Sequence, residues 1–317
     1  MSEAISAGPV YQFGRKWSLV IADNTGAGLD LSQFRVKFNV KRTGVMTPNS
    51  ADIRVYNLDL STAAKIRDEF TQVVLQAGYE GNYGKIFVGN IKQTILGREN
   101  STDTFVDIIA GDGDAAYIGA VMNTSFSAGT SASDHLNAAQ GTLTPKGVTA
   151  GFTGPLPGKK LPRGKVMYGM TRDYIKKIAN DAGFTASIQD GQLVMISEKT
   201  YLPGQVVVLT SKTGMIGTPQ QTIEGVNCRC LLNPGLKING RFQIDNASVA
   251  QFAINLSVLG SPANTPAPFT QDGVYYIIVA EHIGDTRGTE WYTNLVGITV
   301  QVSANPANAL QVGNGGS

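Results

Sequence analysis

The chain has 317 residues, of which 42% are hydrophobic and only 16% are charged, and its net charge at pH 7 is +2. So small a net charge gives no long-range field that would gather nucleic acid or an anionic membrane, and DNA binding is therefore not predicted. The charged fraction lies below the roughly 25% that is usual for soluble proteins, so we expect other subunits to cover much of the surface.

Length and turn residues indicate several β-rich units. A single hydrophobic core stops growing near roughly 250–300 residues, so two or three compact units are expected. The 37 Gly and 13 Pro residues are spread between short apolar runs, which favours a β plan with many turns. The first residues lack a basic region followed by an apolar run, and no stretch approaches the roughly 18 apolar residues of a membrane span. We therefore expect a soluble protein made in the cytoplasm, without membrane insertion.

The first predicted unit covers residues 1–124. Residues 51–58 alternate in polarity like a half-buried strand, and Asp59 or Ser61 then caps a helix with its body at residues 63–70. Further strands and turns are predicted as follows: strands at 73–77, 85–94 and 102–110, with turns at 78–84 and 97–101.

An α+β insert is predicted at residues 125–203. A weak helix is expected at residues 133–139, and the Gly- and Pro-rich stretch 141–164 is expected to form loops. The clearest helix of the chain has Thr171 as its predicted N-cap and ends at Gly183. A hairpin with its turn at Asp190 and Gly191 follows.

A second β unit is predicted at residues 204–303, before a C-terminal tail at 304–317. It begins with a strand at 205–210 and contains a long hairpin, residues 274–298, with a charged, Gly-containing tip. The first unit ends in a hairpin of the same kind, so the pattern indicates two related halves around the insert.

Several residues could belong to a chemical site, and each of them also has a purely structural interpretation. Asp112 and Asp114 have the spacing of calcium ligands but lack the next ligand, which favours a turn at the end of a strand. Gly164 and Lys165 lack the spacing and the Ser or Thr of a phosphate loop.

Cys228 and Cys230 lie two apart in a predicted strand, so they share a face, but the spacing suits a disulfide poorly. Both are interpreted as reduced thiols in a core or an interface. A zinc site would need them to meet His282, since the other histidine, His135, lies on the weak helix. A cysteine nucleophile with His282 as base and Asp285 as orienting group lacks a local signature. We predict no catalytic, cofactor-binding or metal-binding residue.

An aromatic group remains open to two interpretations. Tyr275, Tyr276, Trp291 and Tyr292 could stack on sugars, although aromatic residues on neighbouring strands more often pack in a core or a subunit interface. Glu80, Glu99, Glu281 and Asp285 lie near turns without a context that would raise their pKa values, so paired acids for glycoside cleavage are not indicated.

The ordered set of motifs resembles the tail baseplate hub proteins of bacteriophages. The segments that carry the resemblance cover nearly the whole chain and lie at residues 48–58, 74–81, 86–91, 110–117, 161–164, 231–234 and 284–288. The resemblance implies a mainly β fold with two tail-tube-like antiparallel β-barrels and the α+β insert, assembled as a homotrimeric ring with pseudo-sixfold symmetry.

The resemblance also implies function, partners and location. The expected role is that of a structural virion protein, a tail hub that adapts the sixfold tail tube to the threefold central spike and helps nucleate tail assembly. Expected partners are the spike, the tail tube protein, the tape-measure protein and, in contractile tails, baseplate wedge proteins, while DNA passes through the lumen without specific binding. The expected location is the tail baseplate of the virion, after assembly in the host cytoplasm. The alternatives are a tail-associated peptidoglycan hydrolase and a carbohydrate-binding module that uses Trp291.

Overall fold

The structure, a computed structural model, describes residues 13–23, 26, 28–198, 200–222, 225–249 and 272–299. The predicted C-terminal tail at 304–317 lies outside these residues. The protein is mainly β, as predicted, and antiparallel pairing dominates its sheets.

The first β unit contains seven strands and one helix. Their bounds are β1 (Arg15–Ala22), β2 (Gly28–Asp30), β3 (Val36–Thr43), β4 (Ser50–Tyr56), α1 (Leu60–Asp68), β5 (Gln72–Tyr79), β6 (Asn82–Arg98) and β7 (Thr104–Gly111). Asp59 is the N-cap of α1, because its carboxylate accepts the Thr62 N–H at 2.9 Å. The turn predicted at 78–84 is wrong in length, since β5 and β6 continue almost to Gly81, which takes a left-handed conformation with φ of 88°.

The insert contains three helices and five strands. Their bounds are α2 (Asp114–Gly119), β8 (Val121–Phe126), α3 (Ala132–Leu143), β9 (Thr149–Thr153), β10 (Lys165–Met170), α4 (Thr171–Ala182), β11 (Phe184–Gln189) and β12 (Gln192–Ser197). A short 3₁₀ helix, Thr144–Lys146, follows α3. The weak helix is longer than predicted because Ser131 and Asp134 form a capping box at its start.

Two further predictions for the insert need correction. The expected loop stretch contains β9, which pairs in parallel with β12. Thr171 is the first residue of α4 and Met170 is its N-cap, since the Thr171 hydroxyl contacts the Thr142 hydroxyl at 2.7 Å and does not cap the helix. Gly183 ends α4 with φ of 70°, as predicted, and the hairpin at Asp190 and Gly191 is confirmed.

The second β unit contains six described strands. Their bounds are β13 (Val207–Val208), β14 (Met215–Gln221), β15 (Val226–Leu231), β16 (Arg241–Gln243), β17 (Val274–Asp285) and β18 (Trp291–Ile298). A short 3₁₀ helix, Asn246–Ser248, follows β16. The strand predicted at 205–210 is reduced to the two residues of β13, which pair with β16 alone. The predicted terminal hairpin is confirmed as β17 and β18.

One continuous sheet connects both β units. Its strands follow the order β14-β15-β18-β17-β3-β4-β7-β6-β5-β1-β2, with β16 and β13 attached beside β17. The order therefore contains the same antiparallel four-strand pattern twice, as β14-β15-β18-β17 and as β3-β4-β7-β6. In both cases the chain makes the first strand, then the second, then the fourth and last the third.

Buried apolar side chains form three main clusters. The first lies mostly in the first β unit, from Leu19 to Ala110. The second lies in the insert between Ala116 and Met195, and the third lies in the second β unit between Leu209 and Leu295. The insert and the two β units each have an apolar core of their own. The two β units are therefore connected through the edges of their strands.

Candidate functional site

The two β units are joined edge to edge by β17 and β3, and we call this pairing the seam. Seven residue pairs, from Val279 opposite Thr43 to Asp285 opposite Lys37, form it. Ion pairs reinforce it, with Asp285 2.7 Å from Arg35 and Glu281 3.8 Å from Lys41. The two units therefore share backbone hydrogen bonds as well as side-chain contacts.

Trp291 packs across the seam. It begins β18 in the second unit, yet its side chain is 2% exposed and belongs to the core of the first unit. Its indole N–H donates to the Gly78 carbonyl at 3.2 Å, and its ring meets Phe38 edge-on with centroids 5.4 Å apart. Gly284 provides the space, because a Cβ there would lie 2.3 Å from Phe38 Cζ.

The aromatic residues considered for sugar stacking are mostly buried. Tyr275 and Tyr276 are buried like Trp291, and their hydroxyls donate to Asn246 at 2.8 Å and to Asn239 at 2.6 Å. A buried ring offers no face to a sugar, so these residues pack the protein interior.

A repeated arginine contact links the middle strands of each four-strand pattern. In the first unit, Arg54 of β4 donates from Nε to Asp107 Oδ1 at 2.7 Å and from Nη2 to Oδ2 at 2.8 Å. Its guanidinium lies 3.8 Å from the centroid of Phe105, two residues before Asp107. The paired carboxylate raises the pKa of Arg54 above its ordinary value.

The second unit has the same contact at the matching place. Arg229 of β15 donates from Nε to Asn294 Oδ1 at 2.8 Å, and its guanidinium lies 4.4 Å from the centroid of Tyr292, again two residues earlier. The two contacts align the units residue by residue, with Asp107 matched to Asn294.

The two ends of this double pattern have open edges. Within the described residues, β14 pairs only with β15, and residues 93–98 of β6 pair only with β7. Each open edge carries large apolar side chains: Ile95 is 41% exposed, Leu96 is 42% exposed and Ile216 is 40% exposed. These three residues were not among the predicted site residues, although the Ile95-Leu96 pair interrupts the alternation of β6 and could have indicated an edge with apolar residues on both faces.

Leu96 and His282 hold matching positions. Leu96 lies opposite Val106, the residue before Asp107, and His282 lies opposite Thr293, the residue before Asn294. In the seam, His282 is covered by β3 and is 1% exposed. A strand placed on β6 as β3 is placed on β17 would therefore bury Leu96.

A buried polar cluster holds the insert hairpin on the first β unit. Asp112, 1% exposed at the end of β7, accepts the backbone N–H groups of Asp190 at 2.6 Å and of Gly191 at 2.8 Å. Asn49 donates to the Ile188 carbonyl at 3.0 Å. Burial raises the pKa of Asp112 to about 6, although the two amide donors favour its charged form. Asp112 and the neighbouring Asp114 point to different partners, since Asp114 lies 2.9 Å from Lys92.

Arg42 completes this cluster from β3. Its Nη2 lies 3.0 Å from Asp190 Oδ2 and 3.2 Å from Gln189 Oε1, and Gln189 donates in turn to the Thr43 carbonyl at 2.7 Å. The insert is therefore fixed by charge-assisted hydrogen bonds that are partly shielded from water.

The candidate zinc and cysteine sites do not assemble. Cys228 and Cys230 are buried, and burial raises the pKa of the Cys228 thiol to about 12 and that of Cys230 further. His282 Nδ1 contacts Thr293 Oγ1 at 2.9 Å, and Asp285 is engaged by Arg35. Across the described ranges, no three His, Cys, Asp or Glu side chains form a group that could hold a metal ion.

His282 should make stability depend on pH. Burial, and after it the charge of Arg42, lowers its pKa from 6.5 to about 3, so the folded protein holds it neutral while the unfolded chain protonates it below pH 6.5. Its stabilising contribution is complete above pH 6.5 and is lost as the pH falls towards 3. We expect the loss of stability caused by His282→Gln to shrink by about 2 kcal/mol between pH 7 and pH 5. Urea unfolding of both proteins at the two pH values measures this, and a difference that does not change with pH would contradict it.

Among the described residues, no helix has the length and the apolar character needed to cross a bilayer.

Residues 159–255 match the family model of Baseplate hub gp41. The resemblance to phage baseplate hub proteins is confirmed. The matched segment is less than a third of the chain, and it covers the end of the insert and the first strands of the second β unit of this hub-like protein. Comparison with curated protein sequences gave no match.

The hub-like chain also has the fold of phage tail proteins. It aligns with the 43 kDa tail protein of prophage MuSo2 from Shewanella oneidensis at a TM-score of 0.58 and 9% identity, over 90% of this chain and 98% of that one. The tail protein from Neisseria meningitidis MC58 aligns at 0.53 and 12% identity, over 90% and 96%. The E. coli c3393 protein, a type VI secretion component described as similar to the T4 tail proteins gp27 and gp5, aligns at 0.55 and 10% identity, over 90% and 76%. At such identities the likeness establishes the fold alone.

Proposed function

We propose that this protein is a structural hub subunit of a phage tail baseplate, in which three copies close a ring that presents six similar β units. The observation that carries the proposal is the double four-strand pattern, whose open ends, β6 and β14, match the two strands β17 and β3 that are already joined at the seam. The seam inside one chain then serves as the template for the contact between chains.

The open edges support a heterologous contact. The β6 edge of one copy and the β14 edge of the next are different surfaces, and repeating such a contact produces a ring when the rotation closes. Addition of β14 to β6 would pair backbone groups along the edge and would bury Leu96 as β3 buries His282. Two units in each of three copies convert threefold into approximate sixfold symmetry, which a subunit between a sixfold tube and a threefold spike requires.

The other parts of the hub role belong to the same proposal. The hub would contact the tail tube, the central spike and the tape-measure protein, would help nucleate tail assembly from the host cytoplasm, and would let DNA pass without specific binding. The division at residues 1–124, 125–203, 204–303 and 304–317 also stays a proposal, and the separate apolar clusters support it, with the first boundary moved towards Gly113. The thiols of Cys228 and Cys230 are buried and protonated, and the aromatic residues Tyr275, Tyr276 and Trp291 are buried too. Both observations support a role without catalysis.

Leu96→Lys is expected to convert the trimer into single chains. Leu96 is 42% exposed in one chain, so lysine fits the isolated fold, but the charge would be buried at the proposed contact. Light scattering after size-exclusion chromatography measures the mass. Leu60→Lys is the matched control, because Leu60 is 85% exposed on α1 and belongs to neither β6 nor β14, and this variant should remain a trimer.

A mixing experiment tests the order of the contact. Ile216→Lys blocks the β14 edge and leaves β6 intact, while Leu96→Lys does the reverse. Each variant alone should be a single chain, and the mixture should form one-to-one dimers through the two intact edges. A wild-type protein that is a single chain at micromolar concentration, or a Leu96→Lys protein that remains a trimer, would contradict the proposed ring.

A further inference from the structure

The insert has an open sheet edge of its own, on β8. This strand pairs with β10 on one side, and within the described part of the chain it has no strand on the other side. The edge does not belong to the sheet that carries the proposed ring, so binding at β8 is independent of ring formation.

The hydrogen-bond pattern shows which backbone groups of β8 are open. Thr171 donates its N–H to the Ala120 carbonyl at 3.0 Å, so Ala120 and every second residue after it bond towards β10. In an antiparallel pair the residues between them point their N–H and C=O groups outwards. These residues are Val121, Asn123 and Ser125, whose side chains are also exposed and whose backbone groups have no hydrogen bond to another described residue.

The outer side of β10 is closed at its centre. The Tyr174 hydroxyl accepts the Tyr168 N–H at 2.9 Å and donates to the Tyr168 carbonyl at 3.1 Å. A tyrosine side chain from α4 thus occupies the place of a neighbouring strand there. The two-stranded sheet can be extended on the β8 side only.

An apolar face adjoins this open edge. Val121 is 50% exposed, and Ile118, three residues earlier on α2, is 63% exposed. On the same outer face of the sheet, Val166 is 73% exposed and Tyr168 is 75% exposed, whereas Met167 on the opposite face is fully buried. Contiguous exposed apolar side chains of this kind mark an interaction surface.

Charge indicates which partner fits. Residues 125–203 contain nine Lys and Arg against five Asp and Glu, and neither β8 nor β10 contains an acidic residue. An incoming acidic segment is therefore favoured over a basic one. The open strand β14 and the terminal residues of this sequence do not fit that description: β14 is uncharged, residues 304–317 contain no Asp or Glu, and residues 1–12 contain only Glu3.

We propose that β8 binds an extended, acidic segment of a partner protein by strand addition, with apolar side chains of that segment at alternate positions. Backbone groups of Val121, Asn123 and Ser125 supply the pairing, and Val121 and Ile118 contact the first apolar side chains. Val166 and Tyr168 extend the surface for the body of the partner.

A synthetic strand tests the surface directly. The probe is an end-blocked, fluorescein-labelled peptide of about ten residues that alternates Val and Glu, long enough to cover the edge. Fluorescence anisotropy with the full chain at about 0.15 M ionic strength measures binding. We expect this peptide to bind and the corresponding Val and Lys peptide to bind about tenfold more weakly. Absence of binding by the acidic peptide, or equal binding by both, would overturn the proposal.

Two variants and one control variant distinguish strand addition from non-specific binding of the peptide. Asn123→Pro removes an N–H that points away from β10, so it should weaken acidic-peptide binding about tenfold or more while the sheet remains paired. Asn123→Ala keeps the N–H and should bind as the wild type does. Val121→Glu changes only an exposed side chain and should also weaken binding about tenfold.

The same variants show whether the proposed partner segment, or instead another copy of this chain, binds at β8. Unchanged acidic-peptide binding by both Asn123→Pro and Val121→Glu would overturn the proposal. So would a smaller assembly for Asn123→Pro in light scattering, because β8 would then be a contact between copies of this chain. An unchanged assembly that has lost peptide binding supports it, and this result does not depend on whether the assembly is the proposed ring.

Discussion

Trp291→Ala is expected to lower the free energy of unfolding by about 3–5 kcal/mol, the range for removing a large buried aromatic side chain. The Trp291 indole belongs to a strand of the second β unit but fills the core of the first. Phe38 packs against it edge-on, and Gly284 has no Cβ that would clash with either ring. The substitution leaves a cavity at the seam and leaves the Gly78 carbonyl without its indole donor. Both units should therefore lose stability together.

Urea unfolding followed by circular dichroism at one protein concentration measures this effect. Tyr292→Ala is the matched control, since Tyr292 is the next residue on β18, faces the other side of the sheet and is only partly buried. It should lower the stability by about 1 kcal/mol or less. Equal losses for the two variants would show that Trp291 does not pack across the seam.

Asp112→Ala is expected to lower the free energy of unfolding by about 2–4 kcal/mol at pH 7, because it removes a buried carboxylate and leaves two partly buried N–H donors without an acceptor. These donors belong to Asp190 and Gly191 at the tip of the insert hairpin. The variant also leaves Arg42 with less negative charge nearby. The insert should separate from the first β unit more readily than the two β units separate from each other.

Hydrogen exchange gives the most direct measurement, since the amides of Asp190 and Gly191 should lose protection while those of β17 keep theirs. Asp68→Ala is a suitable control, because Asp68 forms an exposed ion pair with Arg67 and its removal should leave the stability almost unchanged. The effect of Asp112→Ala should also depend on pH. Because the pKa of Asp112 in the folded protein lies above its ordinary value of 3.8, protonation favours the folded state, and the loss of stability caused by Asp112→Ala should grow as the pH falls from about 6 towards 3.8. Unchanged exchange at the hairpin tip would exclude the proposed fixing role.

Local patterns predicted the elements that depend on nearby residues. Of the two caps predicted for α1, Asp59 and Ser61, the structure has Asp59. Gly183 at the end of α4 and the turn at Asp190 and Gly191 are also confirmed, because a cap or a tight turn is decided within a few residues. Thr171 was misplaced by one position because its hydroxyl bonds to Thr142 of α3, a partner that sequence spacing does not reveal. The strand at 205–210 was predicted too long, since most of it finds no neighbouring strand in the sheet.

The sequence indicated which kind of site to expect, but it did not indicate which residues form it. Two similar hairpins indicated two related units, but the sequence identity between them is negligible, so the alignment of Asp107 with Asn294 needed the observed strand pairing. The aromatic residue Trp291 could be interpreted as a binding platform or as a packed residue, and its burial against Phe38 decided for packing. Leu96 interrupts the alternation of β6 together with Ile95, but an exposed leucine gains meaning only when its neighbour in the sheet is missing.

The sequence by itself determined that this protein is mainly β, has a small α+β insert and carries an ordered set of hub-like motifs, because polarity period, turn residues and composition act locally along the chain. Only the tertiary structure decided that β17 pairs with β3, that Asp112 fixes the insert hairpin and that β6, β14 and β8 have open edges. The physical reason is that strand pairing and burial join residues far apart in the chain. A strand with an open edge and a strand with a neighbour can carry the same polarity pattern.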